Sequence, residues 1–344
     1  MAVHRRTSGG RENDDVADGS GRAASGHSNW RCHRKHIPQR VLRARRPGLL
    51  EKLGEVRTEG HTKTTLGNAV FLIKDFTTVL SMRREKRAAI LSQLREIHDG
   101  EFKRDFGTGE TKTWKGRVSV IAAVTPILER HYSIFSVLGE RFMQVRWHRP
   151  DSAEAGEWAI GQQGAEETIR EEIRGAIRDV FDSLNRRRSG RVPRLNDQQR
   201  TRIAAMAEVV ALGRTHVFRN GYGNREIEYV PEAEANTRIS KALAAIAIGI
   251  AALHGREQVA EEDIQDALRV GLDSMPDARR RVLLTLRNDH TVADVPISRT
   301  VKTRTCEELE ALEILIKEGD TWQLCIRIKE LLSVAAPKST GEER

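Results

Sequence analysis

Cysteine is scarce in this chain. Cys32, Cys306 and Cys325 are scattered over 344 residues. They are too few and too far apart for a disulfide framework, so the expected setting is a reducing cytoplasm. Long apolar runs are also missing. The longest, Ala242 to Leu253, has 12 residues, short of the roughly 20 that cross a bilayer, so no membrane partner is expected. The opening residues Met-Ala-Val-His-Arg-Arg lead into no apolar stretch, which argues against a secretory signal. No internal repeat is visible. Cys32, His33 and His36 sit at short metal-ligand spacing, but no second pair follows, and a structural zinc needs four ligands.

What the chain has in excess is positive charge, and that charge is localised. The formal net charge is +9, from 58 Lys and Arg against 49 Asp and Glu. Residues 1–46 hold 11 basic and 4 acidic residues, a surplus of 7. This segment is rich in Arg, Gly, Ser and His and has almost no adjacent large apolar residues, so it cannot offset the entropy of ordering. It reads as a disordered basic arm. Three meanings stay open: an arm that tracks phosphates, a solvated tail, or a stretch that is not native coding sequence, since composition changes abruptly near Pro47.

The rest of the chain is long enough for about two domains. Ala69 to Lys74 (Ala-Val-Phe-Leu-Ile-Lys) is a continuous apolar run stopped by Asp75, which reads as a strand buried on both faces. Residues 79–98 read as a helix with Ile90, Leu91, Leu94 and Ile97 on one side. The Gly-rich stretch from Asp99 to Lys115 reads as a hairpin or exposed loop. Arg117 to Val124 is a second buried strand, stopped by Thr125-Pro126, and Phe142 to Trp147 a short third one. After Pro150 the pattern becomes helical. Ile169, Ile173, Ile177, Val180, Phe181 and Leu184 mark an amphipathic helix. Asn196 is a helix N-cap, and 239–253 is a strongly apolar helix closed by His254-Gly255. Another helix runs from Val259 to Leu272. Helices are expected over 279–286 and 305–317, followed by a turn and strand from Gly319 to Ile326.

A buried strand that ends in Asp presents its carboxylate at the C-terminal edge of a parallel sheet, where nucleotides bind in α/β folds. Thr125 ends the second strand, where a hydroxyl can sense a γ-phosphate. Arg141 precedes the third, where a guanidinium can reach a phosphate in a neighbouring subunit. The run Phe71-Leu-Ile-Lys-Asp75, then Ile121-Ala-Ala-Val-Thr-Pro126, then Gly139-Glu-Arg-Phe142 resembles the second half of an AAA+ ATPase, a P-loop NTPase. The helicase-like branch that includes the minichromosome maintenance proteins is the nearest pattern. The resemblance implies Walker B at Asp75, sensor 1 at Thr125 and an arginine finger at Arg141. It implies sensor 2 at Arg238, in the lid-like run Thr237-Arg-Ile-Ser-Lys-Ala-Leu. It also implies ATP and Mg²⁺ as ligands, with the ion held by Asp75 through water, and DNA as partner. A DNA-contacting hairpin is implied over 100–114, as is assembly with further copies or with an active AAA+ subunit. Taken singly, each residue has a plainer reading: Asp75 and Thr125 as turn residues, Arg141 as a surface ion pair, Arg238 as a solvated helix start.

Two departures from the pattern matter. Phe76 follows Asp75 where many members carry a catalytic Glu. The Walker A loop, Gly-x-x-x-x-Gly-Lys-Ser/Thr, is missing. In Gly60-His-Thr-Lys-Thr-Thr65, Thr62 replaces the Gly before Lys63, Arg57 replaces the first Gly, and the site lies too close to Asp75 for a βαβ crossover. In the family's strand order, 5-1-4-3-2, the P-loop strand borders sensor 1. Strand 117–124 should therefore lack a neighbour, and the sheet should be incomplete.

The expected fold class is α/β, a partial AAA+ parallel sheet, followed by an all-α lid and a C-terminal winged helix-turn-helix. The boundaries are 1–46 for the arm, 47–150 for the partial core, 151–276 for the lid, 277–335 for the winged-helix-like module and 336–344 for the tail. The expected function is an AAA+-related protein of DNA transactions, derived from a phage or mobile element or acting as a subunit, and truncated or inactive alone. The alternative is a non-enzymatic DNA-binding protein that uses the arm and the winged helix.

Overall fold

Asn68–Ile73 forms strand β2, and Arg117–Ala122 forms β5, paired with it in parallel so that Phe71 lies opposite Val120 and Ile73 opposite Ala122. Leu42–Arg43, β1, pairs in parallel on the other side of β2. In the computed structural model the described residues are 42–43, 68–105, 111–132, 141–147, 152–186, 192–221 and 225–336. All fall within the unit Gln39–Arg344. Within them the parallel sheet has the order β1-β2-β5, and no strand lies beyond β5. Residues 42–43 of the arm form a short strand rather than disorder; the remainder of 1–46 lies outside the described residues, as do Gly60 to Thr65 and residues 337–344 of the tail.

The segment expected as one helix is two, α1 (Thr77–Leu80) and α2 (Arg84–His98). Leu91, Leu94 and Ile97 are buried. Leu91 and Leu94 cluster with Ile73, Val120 and Ala122 on one face of the sheet, the face on which strand alternation also places the buried Phe71. The opposite face is open: Val70 is 42% and Ile121 62% exposed. That corrects the reading of both strands as buried on two faces. Apolar content along a run cannot distinguish a strand covered twice from one covered once.

Between α2 and β5 the Gly-rich stretch is a hairpin, β3 (Glu101–Asp105) against β4 (Thr111–Lys115), with Phe102 opposite Trp114 and Arg104 opposite Lys112. Its tip, 106–110, lies outside the described residues.

Helices dominate the remainder. They are α3 (Ser152–Gly161), α4 (Glu166–Arg186), α5 (Asp197–Arg214), α6 (Thr237–Leu253), α7 (Glu261–Asp273), α8 (Asp277–Arg287), α9 (Arg299–Ala311) and α10 (Ile326–Ala335). Asn196 caps α5 as expected: its side chain accepts the Gln199 N–H, and the Gln199 side chain returns to the Asn196 N–H. His254-Gly255 ends α6, with Gly255 at φ +72°. Gly213 permits a close approach, because a Cβ there would lie 2.1 Å from Met275 Cε. Two short antiparallel pairs complete this body: β6 (Phe218–Arg219) with β7 (Ile227–Tyr229), and β8 (Leu315–Glu318) with β9 (Thr321–Leu324). Of the expected turn at Asn220 to Asn224, residues 222–224 lie outside the described set.

The C-terminal segment departs from its sequence reading in two ways. The helix expected over 305–317 starts earlier, at Arg299, and ends at Ala311. Glu313, at φ +56°, breaks it, and Leu315 begins a strand. Leu309, Leu312, Ile314 and Leu315 are all buried, so an apolar cluster shared by a helix end and a strand start mimicked one longer helix. The closing helix α10, which packs on α5, was not foreseen. The order here is helix, helix, hairpin, helix.

Candidate functional site

The site begins where β2 and β5 end. Their pairing continues past the strands: Ala123 N–H donates to Ile73 O at 2.9 Å, and Phe76 N–H to Ala123 O at 2.8 Å. This locks the Asp75–Phe76 peptide beside the Ala123–Val124 peptide, one residue before Thr125. Phe76 is 2% exposed and meets Phe142 with ring centroids 6.2 Å apart. The position after Asp75 therefore faces the core, and an apolar ring there anchors the edge instead of supplying a carboxylate.

Asp75 itself is exposed. Its Oδ1 accepts the Thr77 N–H at 2.9 Å and its Oδ2 the Thr78 hydroxyl at 3.0 Å. An Asp followed by two threonines makes this local turn by side-chain hydrogen bonding to the start of α1. Those bonds, from Thr77 first and then Thr78, hold the Asp75 carboxyl below its ordinary range, so it is ionised at neutral pH. Thr77 also reaches the second strand. Its Oγ1 lies 3.3 Å from Thr125 Oγ1 and accepts the Thr125 N–H at 3.3 Å. The structure therefore joins Asp75 and Thr125 at one sheet edge, through a residue that the sequence reading overlooked. The missed signal was the pattern Asp-x-Thr-Thr directly after an apolar strand.

The Asp75 carboxylate and the hydroxyls of Thr77, Thr78 and Thr125 are bonded to one another rather than arranged around an empty centre. Among the described residues no cluster of three or more His, Cys, Asp or Glu side chains forms a cation cage.

Arg141 and Arg238 sit elsewhere. Arg141 forms a two-point pair with Asp99, the residue that ends α2: Nη2 to Oδ2 is 2.7 Å and Nε to Oδ1 is 3.3 Å. That pair holds the Asp99 carboxyl below its usual range. Only 15% of the Arg141 side chain is exposed. Arg238, at the start of α6, pairs with Glu234 at 2.9 Å, both half exposed.

The expected third strand, Phe142 to Trp147, is an irregular strap. Its polar groups are satisfied by the helical body rather than by a neighbouring strand. Gln144 N–H donates to Ser274 Oγ at 2.8 Å, and Arg146 N–H to Asp273 Oδ2 at 2.9 Å. The Arg146 guanidinium reaches the carbonyls of Asp273 and Met275 at 3.0 and 2.7 Å and pairs with Glu129 at 2.6 Å. Glu129 also accepts the Asp277 N–H at 3.1 Å. It lies in the 3-10 turn Pro126–His131 that follows Thr125. Tyr132 is buried beside it, donates to Ser274 O at 3.1 Å, and has its phenol pKa raised by that burial. The turn after Thr125, the strap and the corner between α7 and α8 thus form one polar knot. Spacing could not reveal it, because apart from the Arg146–Glu129 pair its bonds join residues more than 120 apart.

No described helix is long and apolar enough to cross a membrane. Neither a scan of protein-family models nor a search of curated proteins finds a match for this chain.

Proposed function

We propose that this chain is an AAA+-type, helicase-like ATPase relative that acts in DNA transactions and carries the Mg²⁺ and γ-phosphate side of a nucleotide site without its Walker A cradle. One observation carries the reading. Two adjacent parallel strands end in Asp75 and Thr125, joined through Thr77, with a hairpin inserted between the strands. In this reading Asp75 holds Mg²⁺ through water and Thr125 meets the γ-phosphate. When bound, the ion would neutralise charge on the phosphates. Arg141 would serve a neighbouring subunit after exchanging its pair with Asp99. Arg238 would act as sensor 2 from the start of α6.

With no Walker A sequence and Phe76 in place of a general base, the chain alone should bind ATP weakly and hydrolyse it negligibly. Partners would supply the rest: further copies, or an active AAA+ subunit. The test is Mg²⁺-ATP binding and turnover by the purified protein, with and without DNA. Weak binding abolished by Asp75→Ala supports the reading. Binding that is unchanged in Asp75→Ala, or absent in both proteins, sinks it.

The second reading is a DNA-binding protein without catalysis. The surplus of seven positive charges in residues 1–46 favours it, and the helix-helix-hairpin order from Asp277 onward is compatible with a winged helix. Charge weighs against that module as the main contact, since residues 277–335 hold ten basic and ten acidic residues. Salt-dependent DNA binding that is insensitive to ATP and lost on removal of residues 1–46 would select this reading.

A further inference from the structure

Residues 277–335 balance ten basic against ten acidic residues, but the two signs are segregated along α9. This helix packs on α8 and on strand β8, with Thr305, Cys306 and Leu309 on its buried side. Its second half holds the acids Glu307, Glu308 and Glu310, and the first two are tied down. Arg219 of β6 pairs with Glu307 and with Glu308 at 3.0 Å each, and Arg279 of α8 pairs with Glu308 at 3.0 Å. The first half carries no acid. From Val295 to Cys306 the sequence has Arg299, Lys302 and Arg304 against no Asp or Glu.

The side chains left open on that first half are small or cationic. Ser298, Arg299, Thr300 and Thr303 are exposed, and Val301 is 43% exposed. Ser298 stands at the N-cap position, but its hydroxyl does not cap the helix. Lys302 donates back to Ala293 O at 2.6 Å, which fixes the 3-10 turn Val292–Asp294 against the start of α9. A helix, a tight turn and a second helix with open leading turns follow one another in that order. Hydroxyls bond to base edges, Arg forks onto guanine, and a small apolar group meets the thymine methyl. A helix that docks on protein, or lies in a membrane surface, needs a row of large apolar side chains instead. Val301 alone does not make one.

We propose that the first half of α9, through Arg299, Thr300, Val301 and Thr303, reads base pairs in the major groove of duplex DNA, as the second helix of a helix-turn-helix does. The inference rests on the DNA-binding reading above and is independent of the edge at Asp75. It divides the contact in two. The charge of residues 1–46 attracts any duplex through its phosphates, and α9 distinguishes one sequence from another. The β8–β9 hairpin takes no part, because its tip is Glu318-Gly319-Asp320, and phosphates repel two acids.

The test uses the full chain and a pool of short duplexes with a randomised centre. Repeated selection should enrich one motif. On the enriched duplex, Arg299→Ala combined with Thr303→Ala should weaken binding about tenfold or more, to the level of a scrambled duplex. Lys329→Ala removes an equal charge from an exposed position on α10 and should leave the preference intact. A second measurement needs no substitution: the enriched duplex should slow amide exchange over 298–304 and leave 315–324 unchanged. No binding to any duplex would overturn the DNA-binding reading and this inference together. Binding without an enriched motif, a preference that survives the double substitution, or protection confined to 315–324 would overturn the assignment to α9 alone.

Discussion

The α/β part and the helical body solve the same problem unequally. Among the described residues the helical body encloses twenty-nine buried apolar side chains in one cluster, and the sheet and its helices enclose five in theirs. Helices α5, α6 and α7 bury apolar residues on several sides against one another. The sheet covers one face with α2 and leaves Val70 and Ile121 on the other in contact with solvent. Parallel sheets are usually covered on both faces, so a sheet covered on one buries less apolar area to hold it together. The difference teaches that the edge at Asp75 owes its position less to its own core than to the knot that ties the turn after Thr125 to the corner of α7 and α8.

The largest effect expected from that contrast lies in the helical core. Leu243 is fully buried in α6 and touches the close approach that Gly271 allows on α7. Leu243→Ala should cost about 3 kcal/mol, as large-to-small changes in a packed core do, and should lower the melting temperature of the whole chain. Chemical denaturation measures it. A loss below about 1 kcal/mol would mean that the helical body is not the stabilising half.

The next effect is at the knot. Arg146→Ala removes the pair with Glu129 and two bonds to the carbonyls at the end of α7. Most of these groups are shielded from water, so the expected loss is about 2 kcal/mol. Its signature is qualitative. Calorimetry should resolve a low-temperature transition for the α/β part, separate from that of the helical body, where the native chain is expected to melt as one. A single sharp transition in Arg146→Ala would show that the two regions are coupled by something else.

Much of the fold was legible in sequence wherever one element dictates its own pattern. The cap at Asn196, the close of α6 at His254-Gly255, the hairpin before β5 and the amphipathic period of α4 are all local signals. Asp75 and Thr125 were legible for the same reason: each follows an apolar strand directly. What stayed hidden needs distant partners. Arg146 reads as one arginine among many until Asp273 is known to lie beside it. Phe142 to Trp147 has a strand-like composition, but its backbone donors find Ser274 and Asp273 before they find a strand. Even the burial of β2 was half readable, because the pattern reveals that a residue is apolar and not whether anything lies above it.

The smallest expected effect is therefore the most informative about the open face. Ile121 is 62% exposed on β5, and Thr keeps the β-branched shape that strands favour. If that face meets only solvent, Ile121→Thr should change stability by no more than about 0.5 kcal/mol and should reduce aggregation. Phe71→Ala on the covered face provides the control, because Phe71 is 3% exposed and its loss should cost about 3 kcal/mol. Equal losses from the two substitutions would mean that both faces of the sheet are covered in solution, and the contrast between the two regions would then disappear.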